Sequence, residues 1–333
     1  MKIDSGLGAE LPRVAGRVAR VEAAGLDCVW AAETTNDPFL SLTLAAEHSQ
    51  RVSLGTGVAI AFARNPMSLA YTTNQLQEFS EGRLVLGLGS QVRRHIEKRF
   101  SMTWSQPAAR MREYVLALRA IWASWNDGGP AGFEGDFYTH TLMTPVFAPK
   151  PHEFGPPRVF LAAVGPLMNE MAGEVADGVL THGICTGRYL REVALPAVER
   201  GLARSGRTRA DIEITCPGFT AVVEDPAKMD KARDAMRRNV GYYASTPAYR
   251  PVLDLHGWGD LQTELYACSK QGRWDEMARL VNDQVLDTLT IVCTPHELAG
   301  RVGERYGGLA DRINVSWWRA EWWPDVEKEL RAL

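Results

Sequence analysis

Apolar positions along this 333-residue chain fall into two kinds of stretch that take turns. One kind is short and almost wholly apolar: "CVWAAE" (28–33), "VSLGTGVAI" (52–60), "RLVLGLG" (83–89), "RVFLAAV" (158–164), "GVLTHG" (178–183), "IEITCPGFTAVV" (212–223) and "RINVSW" (312–317), with "MKIDS" at the start as an eighth. Their Val, Ile and Leu content and weak polar alternation suit strands covered on both faces, as in a parallel sheet. The other kind has a helical period. Within 10–25, Val14, Val18 and Val21 recur at steps of four and three and share one helix face. The stretch "EMAGEVADG" (170–178) reads as a helix ending at Gly178.

The punctuation between the two is regular. Asp37-Pro38, Asn65-Pro66, Gly165-Pro166, Asp225-Pro226 and Thr294-Pro295 each precede a helical stretch. A capping residue followed by proline at the first helical position starts a helix well, because proline lacks only an N–H that the helix leaves unpaired there. Thr294 and Glu297 also have capping-box spacing. The unit is strand, short loop, capped helix. Eight such strands predict an α/β fold, a (β/α)8 TIM barrel forming one domain over 1–333. A further apolar run, "TLTIVC" (288–293), is read as part of a connection, because "RINVSW" closes the ring better as the last strand. Two stretches break the rhythm: 90–157 after strand four, with a helix near 107–125 and then a Gly/Pro-rich loop, and 240–287 after strand seven. Insertions of this length are expected to serve as lids or substrate walls.

Composition adds exclusions. Net charge is −3, from 37 basic and 40 acidic residues, which offers no bulk attraction for nucleic acid or an anionic membrane surface. "MKIDSGLGAE" has no apolar signal core, and no apolar run approaches the length of a membrane span. The five cysteines are odd in number and contain no Cys-x-x-Cys. Together these predict a cytoplasmic protein without a disulfide frame.

Two glycine pairs raise the question of a ligand. "LVLGLGSQ" (84–91) ends a strand in Gly87-Leu88-Gly89. A dinucleotide fingerprint needs a third glycine where Val92 stands, so that reading is set aside. The remaining readings are a strand end that a flat or anionic ligand approaches closely, with Ser90 and Gln91 as donors, and a tight turn only. In "LGTGVAIAF" (54–62), Gly55 and Gly57 interrupt a good strand, which marks either a bulge near a ligand or a barrel-packing glycine. "AAVGPLMNE" (162–170) places a helix start, a natural anion site, after a strand of small residues.

Chemistry carried by side chains alone is poorly supplied. The seven histidines form no metal-ligand spacing, no Gly-x-Ser-x-Gly elbow occurs, and no lysine ends a middle strand. The difficult step therefore falls to a bound organic cofactor. His95 and His182 follow strand ends, as catalytic or as merely hydrogen-bonded histidines; Glu33 ends strand two, where a carboxylate needs a partner. "WWRAEWW" (317–323) is read as core and dimer packing in preference to an aromatic cage.

Taken together, "SLGTGVAIAFARNPMSLAYTTNQLQEFSEGRLVLGLGSQ", "AARMREYVLALRAIW", "VFLAAVGP" and "AGEVADGVLTH" resemble the luciferase-like monooxygenase superfamily, and within it the actinobacterial branch that uses the deazaflavin coenzyme F420. The resemblance implies a ring-shaped redox cofactor at the C-terminal mouth of the barrel. It implies a non-proline cis peptide in the third strand, which maps to Gly57-Val58 with Ala59 following, and cofactor contacts at Ser90, Gln91 and His95. It assigns the ribityl and phosphate region to Ala163, Val164 and Gly165 and to Thr181, His182 and Gly183. Many relatives carry Asp-His after strand two, where this chain has "AAETTND"; Glu33, Asn36 and His95 are the candidate catalytic groups. The family's sugar-phosphate dehydrogenases carry a glutamate where Val92 stands, so that activity is not expected. The expected function is hydride transfer between F420 and a small organic substrate; an FMN-dependent monooxygenase and a non-catalytic flavin-binding protein are the alternatives. "YYASTPAYRP" and "GDFYTHTLMTP" suggest an aromatic, partly apolar substrate wall. The resemblance further implies a homodimer or higher homo-oligomer.

Overall fold

A computed structural model describes residues 1–8, 10–129, 132–315 and 318–333. Its centre is a ring of parallel strands: β1 (Lys2–Gly6), β2 (Cys28–Ala31), β3 (Ser53–Thr56, resumed at Ala59–Ile60), β4 (Leu84–Gly89), β5 (Arg158–Ala162), β6 (Gly178–Leu180), β7 (Glu213–Cys216) and β8 (Arg312–Asn314). Each pairs with its neighbour in chain order, and β1 closes on β8 through Ile3 opposite Ile313. The (β/α)8 barrel is therefore present as the sequence pattern predicts. Residues 316 and 317, the end of the expected last strand and the start of the tryptophan run, lie outside the described residues.

The weak polar alternation of these strands has a simple cause: both faces are covered. Ile3, Val29, Leu54, Leu86, Val159, Val179, Ile214 and Ile313 belong to the main core outside the ring. Cys28, Trp30, Val85, Phe160 and Leu180 form a second cluster of their own. Trp30 pairs in register with Gly55, and Phe160 with Gly178. A Cβ at Gly55 would lie 2.3 Å from the Trp30 ring, and one at Gly178 would lie 2.5 Å from Phe160. Gly178 thus opens β6 and makes room for Phe160; the helix before it, Pro166–Val175, stops short of it, so the expected helix-ending role is corrected. A buried polar group completes the interior. Arg312 donates to both oxygens of Asp4 at 2.7 and 2.9 Å and to Glu213 at 2.9 Å, while Trp30 Nε1 donates to Asp4 at 2.8 Å.

Helices start where the capped prolines predict. Asp37 accepts from the Phe39 N–H and Asn65 from the Met67 N–H, and the Thr294–Glu297 capping box closes. The 212–223 run differs from expectation: it breaks at Pro217-Gly218, where Gly218 has φ +55°, into β7 and a separate strand, Phe219–Val222. That strand pairs in parallel with Thr290–Cys293, so the "TLTIVC" connection is itself extended chain outside the ring.

Of the first insertion, helix Pro107–Asp127 belongs to the outer ring and buries Tyr114, Leu118 and Trp122. The segment after it is pinned to that helix's flank, where Glu113 accepts the N–H groups of Asp136, Phe137 and Tyr138. The second insertion, 240–287, is helical: helix Met229–Ala244 runs into it, Arg250–Leu255, Gly259–Lys270 and Trp274–Leu280 fill it, and Asp283–Leu289 leads out of it. At the C-terminal end, Trp323 is buried and donates to the Ala24 carbonyl, which supports core packing for its part of the tryptophan run. Among the described residues no helix is long and apolar enough to cross a membrane.

Candidate functional site

The third strand breaks at Gly57 and Val58, and the peptide bond between them is cis, as the resemblance implies. The break is held from three sides. Gly57 donates to the Ala31 carbonyl at 2.8 Å, and Glu33 donates its N–H to the Val58 carbonyl at 3.3 Å. The Glu33 carboxylate then takes the Ile60 N–H at 2.7 Å and Arg64 Nη1 at 2.5 Å. Arg64 also pairs with Asp37 at 2.8 Å, linking the loop after β2 to the end of the bulge. Burial works against the Arg64 charge, but Glu33 and Asp37 outweigh it and hold the guanidinium above its ordinary range.

Across this bulge stand the glycines of β4. A Cβ at Gly87 would lie 1.9 Å from the Thr56 carbonyl oxygen, and one at Gly89 would lie 2.6 Å from Val58 Cγ2. Thr56 Oγ1 donates to the Gly87 carbonyl at 2.7 Å. The paired glycines therefore serve the neighbouring strand: they let the bulged β3 lie against β4. Gly55 is the packing glycine of the two alternatives, since Trp30 covers it.

The far side of the mouth is built from small residues. Ala163 follows β5, Ala59 is buried in the resumed β3, and Val58 and Ala162 pack on the inner cluster. Gly165 caps helix Pro166–Val175 with no side-chain cap, and a Cβ there would meet nothing within 4 Å. Asn169 Nδ2 donates to the Val164 and Gly165 carbonyls at 2.8 and 3.0 Å and fixes this turn; Tyr189 OH donates to Val164 as well, at 3.0 Å. The open helix start offers N–H groups to an anion. Thr181 spends its hydroxyl on the Thr215 carbonyl at 3.0 Å.

His182 sits in an aromatic box. Tyr249 stacks on it at 4.3 Å, Tyr243 lies at 4.7 Å and Phe219 meets it edge-on at 5.6 Å. Gly183 is needed there, because a Cβ would lie 2.6 Å from the Phe219 ring. Burial pushes the imidazole down to about 4, and its Nδ1 accepts the Ile184 N–H at 3.2 Å. His182 is thus held neutral at neutral pH. Tyr243 and Tyr249 come from the "YYASTPAYRP" stretch, so the second insertion meets a predicted site residue. The "GDFYTHTLMTP" stretch instead packs Tyr138 on Tyr114 at 5.4 Å, along the outer helix.

Other candidates are spread more widely. His95 is exposed on helix Arg93–Lys98, and Asn36 is exposed in the loop after β2. These two loops are joined, since Arg99 donates to the Thr34 carbonyl at 2.8 Å. Ser90 donates to the Gln91 carbonyl, and Gln91, at φ +61°, accepts the Val92 N–H on its own side chain. Sequence reasoning missed Arg64 and Trp30. Trp30 carried no local signal, because its place opposite Gly55 is set by strand register; Arg64 carried only the hint of a cation beside the Asn65-Pro66 helix start.

The luciferase-like monooxygenase model matches residues 2–312. An uncharacterised protein of Mycobacterium tuberculosis is 51% identical over 313 residues, 94% of this chain and 92% of that protein. The 5,10-methylenetetrahydromethanopterin reductase of Archaeoglobus fulgidus is 28% identical over 295 residues, 86% of this chain and 84% of its own. Among solved structures, the coenzyme F420-dependent tetrahydromethanopterin reductase of Methanopyrus kandleri superposes with a TM-score of 0.77 at 21% identity, covering 99% of this chain and 95% of that one. The bulged third strand, the glycines that receive it and a family match running from β1 to the first residue of β8 lead to one conclusion: this chain belongs to the luciferase-like monooxygenase family.

Proposed function

We propose that this protein is an oxidoreductase that moves a hydride between the deazaflavin coenzyme F420 and a small organic substrate. The observation that carries the reading is the mouth itself. Val58 and Ala162 pack on the same inner cluster, the chain that follows offers only small side chains at Ala163 and Gly165, and the Gly165 position is open to space. A flat ring with an anionic tail fits small residues beside an uncapped helix start. Relatives named for F420-dependent activity support the same cofactor.

Bound there, the deazaflavin would supply the hydride-accepting or hydride-donating carbon. The chain's own residues do the positioning. Val58 offers an apolar face, Glu33 and Arg64 fix the bulge that presents it, and Asn169 and Tyr189 fix the turn at Val164 and Gly165 beside the uncapped helix start. His182, neutral and walled by Tyr243, Tyr249 and Phe219, excludes water from one side of the mouth. Glu33 acts here as a positioning residue, since its carboxylate is engaged by Arg64 and Ile60; Asn36 and His95 remain the candidates for proton transfer. Residues 240–287 serve as the substrate wall. A cytoplasmic homodimer fits the family, and the five cysteines are all buried and free.

The FMN-dependent monooxygenase is the second reading, favoured by the description of the family itself. Anaerobic incubation with reduced F420 and a panel of small carbonyl and imine substrates separates them. Substrate-dependent deazaflavin oxidation without oxygen supports hydride transfer. None of that oxidation, together with an oxygenated product when the same panel is incubated in air with reduced FMN, overturns it.

A further inference from the structure

A second site stands apart from the mouth. A cavity of about 450 Å³ lies between the segment after β6, at Thr186 to Arg191, and helix Leu298–Tyr306, with Asp287 to Val292 as its third wall. None of the mouth residues Val58, Gly89, Ala162 or Gly165 lines it. Five arginines do, against two carboxylates, Asp287 and Glu304. Two of the five are satisfied: Arg188 pairs with Glu192, and Arg233 bridges Asp283 and Asp287. Arg191, Arg301 and Arg305 form no ion pair among the described residues.

Arg305 is the informative one. Its Nη2 donates to the Asp287 and Thr290 carbonyls at 2.7 and 2.8 Å, which locks the guanidinium in place. Its Nη1 is buried with no hydrogen-bond partner. Gly187 brings the opposite wall close, since a Cβ there would lie 2.2 Å from the Arg305 carbonyl oxygen. Three guanidinium groups without an acidic partner thus line one cavity, and an anionic oxygen is the partner that suits them best. Arginine's fixed fork suits phosphate and carboxylate. His256, held by Thr186 at 2.9 Å, is pushed toward the neutral form by burial and by the Arg188 charge, as a site of positive potential requires.

We infer that this cavity binds a small organic polyanion, carrying a phosphate or paired carboxylates, with Arg305 as the fixed anchor and Arg191 and Arg301 as the mobile ones. The test is calorimetric titration of the whole protein with pyrophosphate, adenosine monophosphate and citrate at constant ionic strength. At least one binds saturably at one site, and the Arg191→Ala/Arg301→Ala protein binds it about tenfold more weakly or worse. Both side chains are exposed and unpaired, so the double variant unfolds at the wild-type temperature without ligand. Heats that fail to saturate for all three anions, or an affinity unchanged in the double variant, overturn the assignment.

Discussion

Val58 occupies the space in which a side chain on Gly89 would begin, with Cγ2 only 2.6 Å from an ideal Cβ there. One level along the same strand, Gly87 leaves room for the Thr56 carbonyl, at 1.9 Å. The bulge in β3 and the glycines of β4 are therefore one device. Gly89→Ala meets a side-chain tip and costs about 1–3 kcal/mol, while Gly87→Ala meets backbone and costs more. Urea unfolding of both variants ranks them; equal effects contradict this packing.

Glu33 and Arg64 form the strut under that bulge. The Glu33 side chain is 9% exposed and Arg64 19%, whereas Asp37 is 45% exposed. Glu33→Gln leaves Arg64 with only its exposed partner and destabilises by about 1–3 kcal/mol. Asp37→Asn costs less, because water screens it. A double-mutant cycle between Glu33 and Arg64 reads a favourable coupling; no coupling removes the strut.

His182 predicts a pH dependence. Its folded value of about 4 lies below the ordinary 6.5, so the unfolded chain binds its proton first as pH falls. That contribution to stability is constant above about pH 6.5 and is lost between about 6.5 and 4. Thermal unfolding across this window falls more steeply in the wild type than in His182→Phe. Parallel curves show that the ring is not held neutral.

Much of the fold was legible because strands and helices here obey local rules. The apolar runs mark all eight strands, and the Asp37-Pro38 and Asn65-Pro66 pairs mark helix starts that the caps then make. The site was legible only in outline. Gly55, Gly87 and Gly89 look the same in sequence whether a ligand or a neighbouring strand fills the space; only the register of Trp30 on Gly55 and the position of Val58 decide it. The split at Gly218 was hidden because both halves of 212–223 are equally apolar. His182 was found by its place after a strand, but its aromatic box joins residues 219, 243 and 249, a distance in sequence that no local pattern spans.

Gly165 separates stability from binding. Nothing lies within 4 Å of a Cβ there, and its φ of −67° suits any residue. Gly165→Val leaves the unfolding temperature near that of the wild type but weakens deazaflavin binding by about tenfold or more, because the branched side chain covers the open helix start. Unchanged affinity places the anionic tail elsewhere.

On the proposed function the mouth takes a deazaflavin, which titration of the purified protein with coenzyme F420, and separately with FMN, reads through quenching of the cofactor's fluorescence. Saturable one-site quenching of F420, weakened in Gly165→Val, with no saturation by FMN, is the predicted result. F420 fluorescence that stays unquenched at every protein concentration, or FMN that saturates in its place, contradicts it.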